Sequence, residues 1–339
     1  MEKLGFIGLG NAMEGIDCGF WLTQRLLEAG NTVYVWDKRP EVVAEVAEKG
    51  AIPCGSCKEV AEKATVIFMM MMHDRMIEEA LFGENGVADG VQTGSVVIDM
   101  SSIAPERELE FYGKLKALGV EMIDAPANGG GARSRAKKST LNLLVGGEKE
   151  IVDRCMPYLD VVGYSKVHIG PCGHGQIAKV ATQMLNAIAI QGICEGLIYS
   201  SKLGADPMKI REAMLMRFID EFLLEVHTFR PIDHMLEGFH VWEHQLDLQA
   251  ALDAGRKYGI TLPVTAMVQQ MFNAVVGQGM GDLDHCSLIL PLEMLAKQKV
   301  GEGVSIDVDW DVFFEYGAKN VENFNCLMKH GFKNQDSGK

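Results

Sequence analysis

The sequence predicts an α/β protein in which a doubly wound parallel-sheet domain is followed by an all-helical domain. From residue 3 to about residue 170, short apolar runs alternate with amphipathic helical stretches, which is the pattern of βαβ units. After Gly173 the chain changes to long segments rich in Ala, Leu, Met and Ile with few strand signals. We therefore expect a sheet domain at 1–170, a helical domain at 171–299 and a polar C-terminal extension at 300–339.

The strands of the predicted sheet are short and mostly apolar on both faces, as expected where helices cover both sides of a sheet. Helices with 3.6-residue periodicity are predicted between them, for example at 40–48 and 105–118. The longest predicted helix, 176–201, is apolar around most of its circumference, so we expect it to be buried at a domain junction or a subunit interface. The predicted strands are 3–7, 32–36, 66–70, 95–99, 121–124, 142–146 and 166–169.

The composition favours a soluble globular protein of two or three domains. The 46 acidic residues outnumber the 32 basic ones and give a formal net charge of -14, which argues against broad contact with nucleic acid or an anionic membrane. The N-terminus lacks the pattern of a signal peptide, and no stretch is predicted to span a membrane. The eight cysteines are scattered, as is typical of reduced thiols, so we expect a cytoplasmic protein.

A glycine turn, Gly8-Leu9-Gly10, directly follows the first predicted strand. In a dinucleotide-binding fold the first glycine permits a tight turn, the second lets the backbone approach the pyrophosphate, and the next helix N-terminus stabilises the negative charge. Met13 stands where the third glycine of this pattern belongs, and we interpret residues 12–17 as an insertion before an ordinary first helix. A purely structural turn between strand and helix is the alternative.

An acidic residue ends the second predicted strand. The carboxylate of Asp37 can hydrogen-bond both hydroxyls of an adenosine ribose and repel a 2′-phosphate, which predicts NAD rather than NADP as the cofactor. Lys38 and Arg39 follow at once and could instead bind that phosphate, or form a solvated turn before Pro40. NADP therefore stays an alternative.

A hydroxyl-rich loop, 99–105, follows the fourth predicted strand. In a parallel sheet the ligand sits beyond the carboxyl ends of the strands, so Ser102 can reach a nicotinamide ribose or the substrate. The alternative is that Ser102 caps the helix that begins after Pro105.

Consecutive glycines follow the fifth predicted strand. The backbone N–H groups of Asn128-Gly129-Gly130 can form a concavity that suits a substrate carboxylate, and the Asn128 amide can add a hydrogen bond. A flexible loop without a ligand is the alternative.

A lysine stands on the otherwise apolar helix that opens the second domain. Lys179 and Gln183 are four residues apart and therefore share one helix face. Burying a lysine is costly, and desolvation would lower its pKa towards the range that is useful for proton transfer. We predict that Lys179 is the catalytic acid/base. The alternative is a side chain that extends along the protein to reach solvent.

Taken in order, these motifs resemble those of the beta-hydroxyacid dehydrogenases, the family related to 3-hydroxyisobutyrate dehydrogenase, tartronate semialdehyde reductase and 6-phosphogluconate dehydrogenase. The resemblance covers about residues 3–298. It implies a Rossmann-type domain that binds NAD, with NADP as the alternative, and hydride transfer to or from a small β-hydroxy acid or its semialdehyde. It also implies that Lys179 is the acid/base and that the helical half forms a homodimer or homotetramer.

The motifs and the resemblance together define two sets of expected contacts. Cofactor contacts are expected at Gly8, Leu9, Gly10, Asn11, Asp37, Met71, Met72 and Ser102. Substrate contacts are expected at Ser102, Asn128, Gly129, Gly130 and Gln183. Met71 and Met72 enter the first set because they follow a buried strand and would pack on the cofactor.

The chain also departs from the family pattern. Besides the insertion after Asn11, Asn128 replaces the usual serine, and the loop 131–139 is about two residues longer and carries four basic side chains. Leu246 stands where the family usually has a lysine before Asp-Leu, so a second positive group near the nicotinamide is missing. Either another cation replaces it, or turnover is impaired.

Other interpretations stay open at this stage. The basic loop would suit a decarboxylating dehydrogenase of a phosphorylated sugar acid. The insertion and Leu246 would suit a catalytically silent nucleotide-binding scaffold, although a scaffold has no need of a lysine and glutamine in register. His240 and His244, or the Cys54 and Cys57 pair, have spacings compatible with metal binding but lack further ligands, so we expect no metal.

Overall fold

The computed structural model describes residues 2–10, 18–128, 141–215 and 239–300 of the chain. It divides into two compact units, residues 1–182 and residues 183–339, and the division falls within one long helix. The insertion 12–17, the basic loop 131–139 and the chain beyond residue 300 lie outside the described residues. The domain boundaries expected at 170 and 299 stay predictions.

The first unit is built on a sheet of nine strands, and every predicted strand is present within one or two residues of its predicted ends. The strands are β1 (Leu4–Ile7), β2 (Val33–Trp36), β3 (Ile52–Pro53), β4 (Val66–Met69), β5 (Val96–Asp99), β6 (Glu121–Asp124), β7 (Ala127–Asn128), β8 (Asn142–Gly146) and β9 (Ser165–Gly170). The helices are α1 (Cys18–Glu28), α2 (Pro40–Ala47), α3 (Cys57–Lys63), α4 (Asp74–Phe82), α5 (Pro105–Lys116), α6 (Lys149–Val162) and the start of α7 (His174–Lys202).

The sheet has the order β3-β2-β1-β4-β5-β6-β8-β7, with β9 paired to β8. Strands β1 to β6 are mutually parallel, which confirms the predicted doubly wound sheet. The sheet departs from the parallel arrangement at one end, because β8 is antiparallel to both β6 and β7. An apolar run carries no signal of strand direction, so the sequence pattern could not show this reversal.

Two apolar layers cover the faces of the sheet, because successive side chains of each strand point to opposite sides. Phe6 and Phe68 stack on one face with ring centroids 5.8 Å apart, in the layer covered by α1 and α6. Ile7 and Ile67 belong to the layer on the other face, under α3, α4 and α5. With both faces covered, the edge formed by the carboxyl ends of the strands is where a ligand can reach the sheet.

Backbone hydrogen bonds tie the loops at this carboxyl edge to one another. The N–H groups of Met70, Met100 and Ala125 each donate to a carbonyl at the end of the neighbouring strand, with N–O distances between 2.6 and 3.1 Å. The loops that follow β1, β4, β5 and β6 therefore lie side by side.

The second unit is helical, as predicted. It contains the remainder of α7, α8 (Pro207–Leu215), α9 (Val241–Tyr258), α10 (Pro263–Gly277) and α11 (Ile289–Ala296), with a short 3-10 turn at His285–Leu288. Its core is formed by apolar residues of α7, α9 and α10 together with the 3-10 turn, for example Ile190, Leu248, Phe272 and Leu288.

Within the described residues, one helix segment is long and apolar enough to cross a membrane by length and hydropathy alone. It is His174–Cys194, and 39% of the window is buried inside the protein. Because buried core helices have the same properties, this observation does not by itself indicate a membrane span.

A stability test follows from the close contact between the start of α7 and the sheet. A Cβ on Gly175 would overlap the carbonyl oxygen of Leu144 and lie 2.8 Å from a carboxylate oxygen of Asp124, whereas a Cβ on Gly192 in the same helix would meet no atom within 4 Å. We expect Gly175→Ala to lower the free energy of unfolding by about 1–3 kcal/mol. The control Gly192→Ala should stabilise slightly, because alanine has the higher helix propensity. Equal melting temperatures for the two variants would contradict this packing.

Candidate active site

The glycine turn after β1 has the backbone that a dinucleotide-binding turn requires. Gly8 and Gly10 both have positive φ, +88° and +96°, which side chains other than glycine rarely adopt. A Cβ on Gly8 would also overlap the carbonyl oxygen of Met70. Leu9 between them is fully buried. The turn therefore depends on both glycines.

Gly19 takes the place of the third glycine of the pattern. A Cβ on Gly19 would overlap the carbonyl oxygen of Gly8 and lie 2.9 Å from the Cα of Leu9, so only glycine lets α1 pack this closely on the turn. Gly19 is six residues beyond position 13, which equals the length of the insertion proposed at 12–17. Sequence reasoning treated Gly19 only as part of the first helix, and this offset was the signal that could have identified it.

Asp37 lies against the glycine turn, but its carboxylate is already engaged. Its Oδ2 accepts a hydrogen bond of 2.8 Å from the Leu9 N–H, and its Oδ1 accepts one of 2.9 Å from the Arg39 N–H. The Arg39 guanidinium donates to both carboxylate oxygens and also to the carbonyl of Gly10. About four lone-pair positions are available on a carboxylate, and four donors occupy them. Ribose hydroxyls can therefore bind Asp37 only if Arg39 moves aside.

Ser101 connects the loops after β4 and β5. Its hydroxyl oxygen accepts a hydrogen bond of 3.0 Å from the Met71 N–H, and its own N–H donates to Asp99 at 2.8 Å. The neighbouring Ser102 is partly exposed in this loop. The alternative that Ser102 caps α5 is wrong, because the N-cap of α5 is Ala104 and no side chain caps it.

Asp124, at the end of β6, holds the start of α7. One carboxylate oxygen accepts from the Gly173 N–H and the other from the Gln176 N–H, both at 2.7 Å. A carboxylate at a helix N-terminus satisfies N–H groups that lack partners within the helix and interacts favourably with the helix dipole. Burial raises the pKa of Asp124, and the two backbone N–H donors oppose that shift.

The Gln176 side chain joins α7 to the loop after β5. Its Nε2 donates to the carbonyl of Ser101 at 2.9 Å, and its Oε1 accepts from the Ile103 N–H at 3.2 Å. Gln176 has no exposed surface. Because both ends of the amide are used, the loop that carries Ser102 has a fixed position relative to the first turn of α7.

Lys179 is buried one turn further along α7, with 8% of its surface exposed. The alternative of a lysine that reaches solvent is therefore wrong. Its Nζ donates a hydrogen bond of 2.9 Å to the carbonyl of Ala127 in β7. This contact orients the ammonium group of Lys179.

Asn128 lies beside the same part of the helix. Its Oδ1 is 3.3 Å from the hydroxyl of Thr182, which also donates to the carbonyl of Lys179 at 2.8 Å. The structure thus places Asn128 near the turn of α7 that carries Lys179. Gly129 and Gly130, like Asn11, lie outside the described residues.

Gln183, which belongs to the helical unit, has its amide held on both sides. Its Nε2 donates to Asp247 at 2.9 Å, and its Oε1 accepts from Asn186 at 3.1 Å. Asp247 is buried, while Leu246 next to it is half exposed. Asp247, which follows the position where the family usually has a lysine, therefore orients the Gln183 amide.

The two histidines considered for metal binding make other contacts. The Nδ1 of His240 is 2.7 Å from the carbonyl of Asp282. The Nε2 of His244 is 3.0 Å from the carbonyl of Gln183, and its Nδ1 is 3.0 Å from the Nδ1 of His285. Both ring nitrogens of His244 are thus engaged by protein groups. His240 and His244 lie at the start of α9, and His244 is buried rather than on a solvated face.

Sequence reasoning missed the buried residues that position the expected contacts. Asp124 ended a predicted strand and Gln176 stood within the α7 motif, so both were visible as polar residues in apolar surroundings. Glu108, which is fully buried on α5, gave no such signal because its neighbours Glu106 and Glu110 make the segment resemble a solvated helix face.

Comparisons with known proteins agree with this geometry. A family model described as the NAD binding domain of 6-phosphogluconate dehydrogenase matches residues 3–170. A second model, described as NAD-binding of NADP-dependent 3-hydroxyisobutyrate dehydrogenase, matches residues 173–292. The first model lies within the first unit, and the second spans the start of α7 and most of the described part of the second unit.

Individual relatives are similar over most of their length. The chain is 36% identical over 299 residues to the 2-hydroxy-3-oxopropionate reductase of Escherichia coli, covering 88% of this chain and 99% of the relative. It is 30% identical over 281 residues to the 3-hydroxyisobutyrate dehydrogenase of Pseudomonas aeruginosa, covering 80% and 92%. Among solved structures, the Mycobacterium tuberculosis 3-hydroxyisobutyrate dehydrogenase with L-serine matches with a TM-score of 0.76 at 25% identity, covering 86% of this chain and 99% of that one.

The chain belongs to the beta-hydroxyacid dehydrogenase family. It is an oxidoreductase with an NAD(P) cofactor. The residues at the carboxyl edge fit such a cofactor, because Gly8 and Gly10 have backbone conformations that favour glycine and Gly19 lets α1 approach the turn closely. Gly8, Leu9 and Gly10 would hold the pyrophosphate, and Asp37 or Arg39 the adenosine ribose.

The Asp37 and Arg39 arrangement predicts how each residue affects cofactor choice. In Arg39→Ala the Asp37 carboxylate loses a competing partner, so NADH affinity should rise by a few fold, while NADPH affinity should fall about tenfold or more because a phosphate-binding cation is lost. The control Lys38→Ala removes the adjacent basic side chain and should change the two cofactor affinities less than Arg39→Ala does. Fluorescence titration with each cofactor measures the ratio of NADPH affinity to NADH affinity. An unchanged ratio in Arg39→Ala would contradict the arrangement.

Proposed function

We propose that this enzyme transfers hydride between NAD(H) and a small β-hydroxy acid or its semialdehyde, with Lys179 as the acid/base. The observation that supports this role most directly is the buried Lys179 Nζ, held 2.9 Å from the Ala127 carbonyl directly after the carboxyl edge of the sheet. A lysine that only contributed to stability would not need to be withdrawn from water at this position.

The proton and the hydride are moved by different groups. The bound NAD(P) supplies or accepts the hydride. In the reduction direction, Lys179 Nζ donates a proton to the carbonyl oxygen of the semialdehyde as the hydroxyl forms. In the oxidation direction, Lys179 Nζ takes the hydroxyl proton. The Ala127 carbonyl accepts a hydrogen bond from Nζ and thereby orients the ammonium group.

We base the substrate class on the polar residues of the two predicted substrate motifs. The backbone N–H groups of Gly129 and Gly130 and the Asn128 amide are proposed to bind a carboxylate. The Gln183 amide, held by Asp247 and Asn186, is proposed to bind the substrate hydroxyl or carboxylate. The 36% identity to a 2-hydroxy-3-oxopropionate reductase supports a three-carbon semialdehyde that carries a carboxylate.

NAD is proposed as the preferred cofactor because Asp37 is at the end of β2. Arg39 reduces the expected preference for NAD over NADP, because it lies beside Asp37, where it could bind a 2′-phosphate. The comparisons give no support to a sugar-acid decarboxylase or to a silent scaffold. The burial of Lys179 also argues against a scaffold, because burying a lysine costs free energy and a scaffold would gain no activity from it.

We further propose that the enzyme is a cytoplasmic homodimer or homotetramer that associates through its helical unit, with no nucleic acid or membrane as partner. Several large apolar side chains of this unit are at least 60% exposed, which is typical of surfaces that bind another protein. They are Leu185, Leu203, Tyr258, Met267, Met294 and Leu295. None of the seven cysteines within the described residues forms a disulfide, which is in keeping with a reducing compartment.

The proposed role of Lys179 is tested by two substitutions at this position. We expect Lys179→Ala to lower kcat for 2-hydroxy-3-oxopropionate with NADH by at least about a hundredfold, because the proton donor is lost. Lys179→Arg should be nearly as inactive, since arginine keeps the charge but does not release its proton. NADH affinity should be unchanged in both variants. The control Lys202→Ala removes an exposed lysine at the end of the same helix and should keep full turnover. Substantial turnover in Lys179→Ala would refute the assignment.

A further inference from the structure

Two fully buried carboxyl groups, Asp99 at the end of β5 and Glu108 on α5, face each other beneath the carboxyl edge. Neither side chain has any exposed surface, and the two are within hydrogen-bonding reach of each other. The Oδ2 of Asp99 and the Oε1 of Glu108 have no donor of their own. A carboxylate is an acceptor only, so two carboxylates in contact would leave both oxygens unsatisfied and place two negative charges in a region without water.

One proton resolves both problems. We propose that Asp99 and Glu108 share a single proton, and that this acid pair acts as a positioning unit for the nicotinamide-side loop and for the first turn of the lysine-bearing helix. The proton lies between the two unsatisfied oxygens, so that one carboxyl group donates and the other accepts. The catalytic part of this inference rests on the proposed function, whereas the shared proton itself does not.

The remaining oxygens of the pair hold the loops of the expected active site. Asp99 Oδ1 accepts from the Ser101 N–H at 2.8 Å, and the Ser101 hydroxyl in turn accepts from the Met71 N–H. Glu108 Oε2 accepts from Gln176 Nε2 at 3.3 Å, and Gln176 also binds the backbone on both sides of Ser102. The acid pair therefore connects three segments: the loop after β4, the loop after β5 and the start of α7.

The charges around the pair favour retention of the proton. Burial raises the pKa of both carboxyl groups, that of Asp99 to about 6 and that of Glu108 well above its usual range, and the charge of Asp124 on β6 adds to both shifts. Cys172, which precedes α7, also interacts with Asp124 and Glu108, and its thiol pKa is raised by burial and by their charges. Ser101 and Gln176 oppose these shifts with hydrogen bonds.

The pH dependence of stability follows from these directions. In the unfolded chain both carboxyl groups lose their protons near pH 4. The folded protein keeps the shared proton up to the raised pKa of the pair. Between about pH 4 and that pKa, folding takes up a proton, so the free energy of unfolding decreases as the pH rises. The stabilisation from the pair is thus complete below about pH 4 and is lost as the pH rises from there through the raised pKa of the pair.

Amide substitutions distinguish a shared proton from simple packing. In Glu108→Gln or Asp99→Asn, an amide N–H replaces the shared proton and donates to the remaining carboxylate. We expect each single variant to keep kcat within about threefold of the wild-type value, because the connecting hydrogen bonds persist. The wild-type melting temperature should fall from pH 5 to pH 8 relative to that of Glu108→Gln. The nonpolar variant Glu108→Leu should lose about tenfold or more in kcat with little change in NADH affinity.

The double variant Asp99→Asn with Glu108→Gln is the decisive measurement. It places two amide N–H groups against each other with no acceptor between them. Its melting temperature should therefore decrease by far more than the sum of the decreases in the two single variants. The control Glu110→Gln makes the same chemical change on α5 at an exposed ion pair and should have little effect.

Each outcome decides the proposal. Additive stability effects in the double variant, or single amide variants as impaired as Glu108→Leu, would overturn it. The stability comparison needs no substrate, so it stands apart from the proposed function. If turnover survived in Lys179→Ala while the double variant was non-additive, the acid pair would stand and the catalytic assignment would fail.

Discussion

The structure of the expected active site depends on the contact between the Asp124 carboxylate and the N-terminus of α7. Two backbone N–H groups, those of Gly173 and Gln176, donate to its two oxygens at 2.7 Å. These donors belong to the first turn of a helix, where N–H groups have no partner within the helix itself. The end of β6 thereby determines where α7 begins, and the position of Lys179 one turn later follows from helix geometry.

Close packing makes this contact specific. Gly146 and Gly175 both approach Asp124 so closely that a Cβ on either would lie against its carboxylate. Around this junction, Gln176 and the acid pair of Asp99 and Glu108 connect α7 to the loops that follow β4 and β5. The residues expected to touch cofactor and substrate are thus held by a second set of polar residues that are buried. Such supporting residues restrict the conformational freedom of catalytic groups. This restriction lowers the entropic cost of aligning those groups with the substrate.

The sequence was sufficient to predict the fold and the main chemical groups. Alternating apolar runs predicted strands β1, β2, β4, β5, β6, β8 and β9, because buried parallel strands have apolar residues on both faces. The lysine on an apolar helix predicted a buried Lys179, because a charged residue in that setting requires a purpose. The direction of β8 was not predictable, since periodicity describes which side chains are buried and not how the strand runs.

Other features depended on contacts between residues distant in sequence. The hydrogen bonds from the Leu9 N–H to Asp37 and from Arg39 to the Gly10 carbonyl arise only when the turn after β1 meets the end of β2. Glu108 is buried because α5 packs against β6 and its carboxyl group reaches Asp99 and Gln176, although Glu106 and Glu110 on the same helix are charged. The role of Gly19 was hidden by the insertion at 12–17, which moved the third glycine outside the usual spacing.

The central claim is that Asp124 places the lysine-bearing helix, and the substitution Asp124→Asn tests it most directly. Asparagine has the same shape but keeps one acceptor oxygen and presents an amide N–H to the other backbone donor, so the helix start loses one charge-assisted hydrogen bond. Steady-state turnover of 2-hydroxy-3-oxopropionate with NADH, measured beside NADH affinity and melting temperature, should show kcat reduced about tenfold or more with NADH affinity retained in a folded protein. An unchanged kcat in Asp124→Asn would contradict the account.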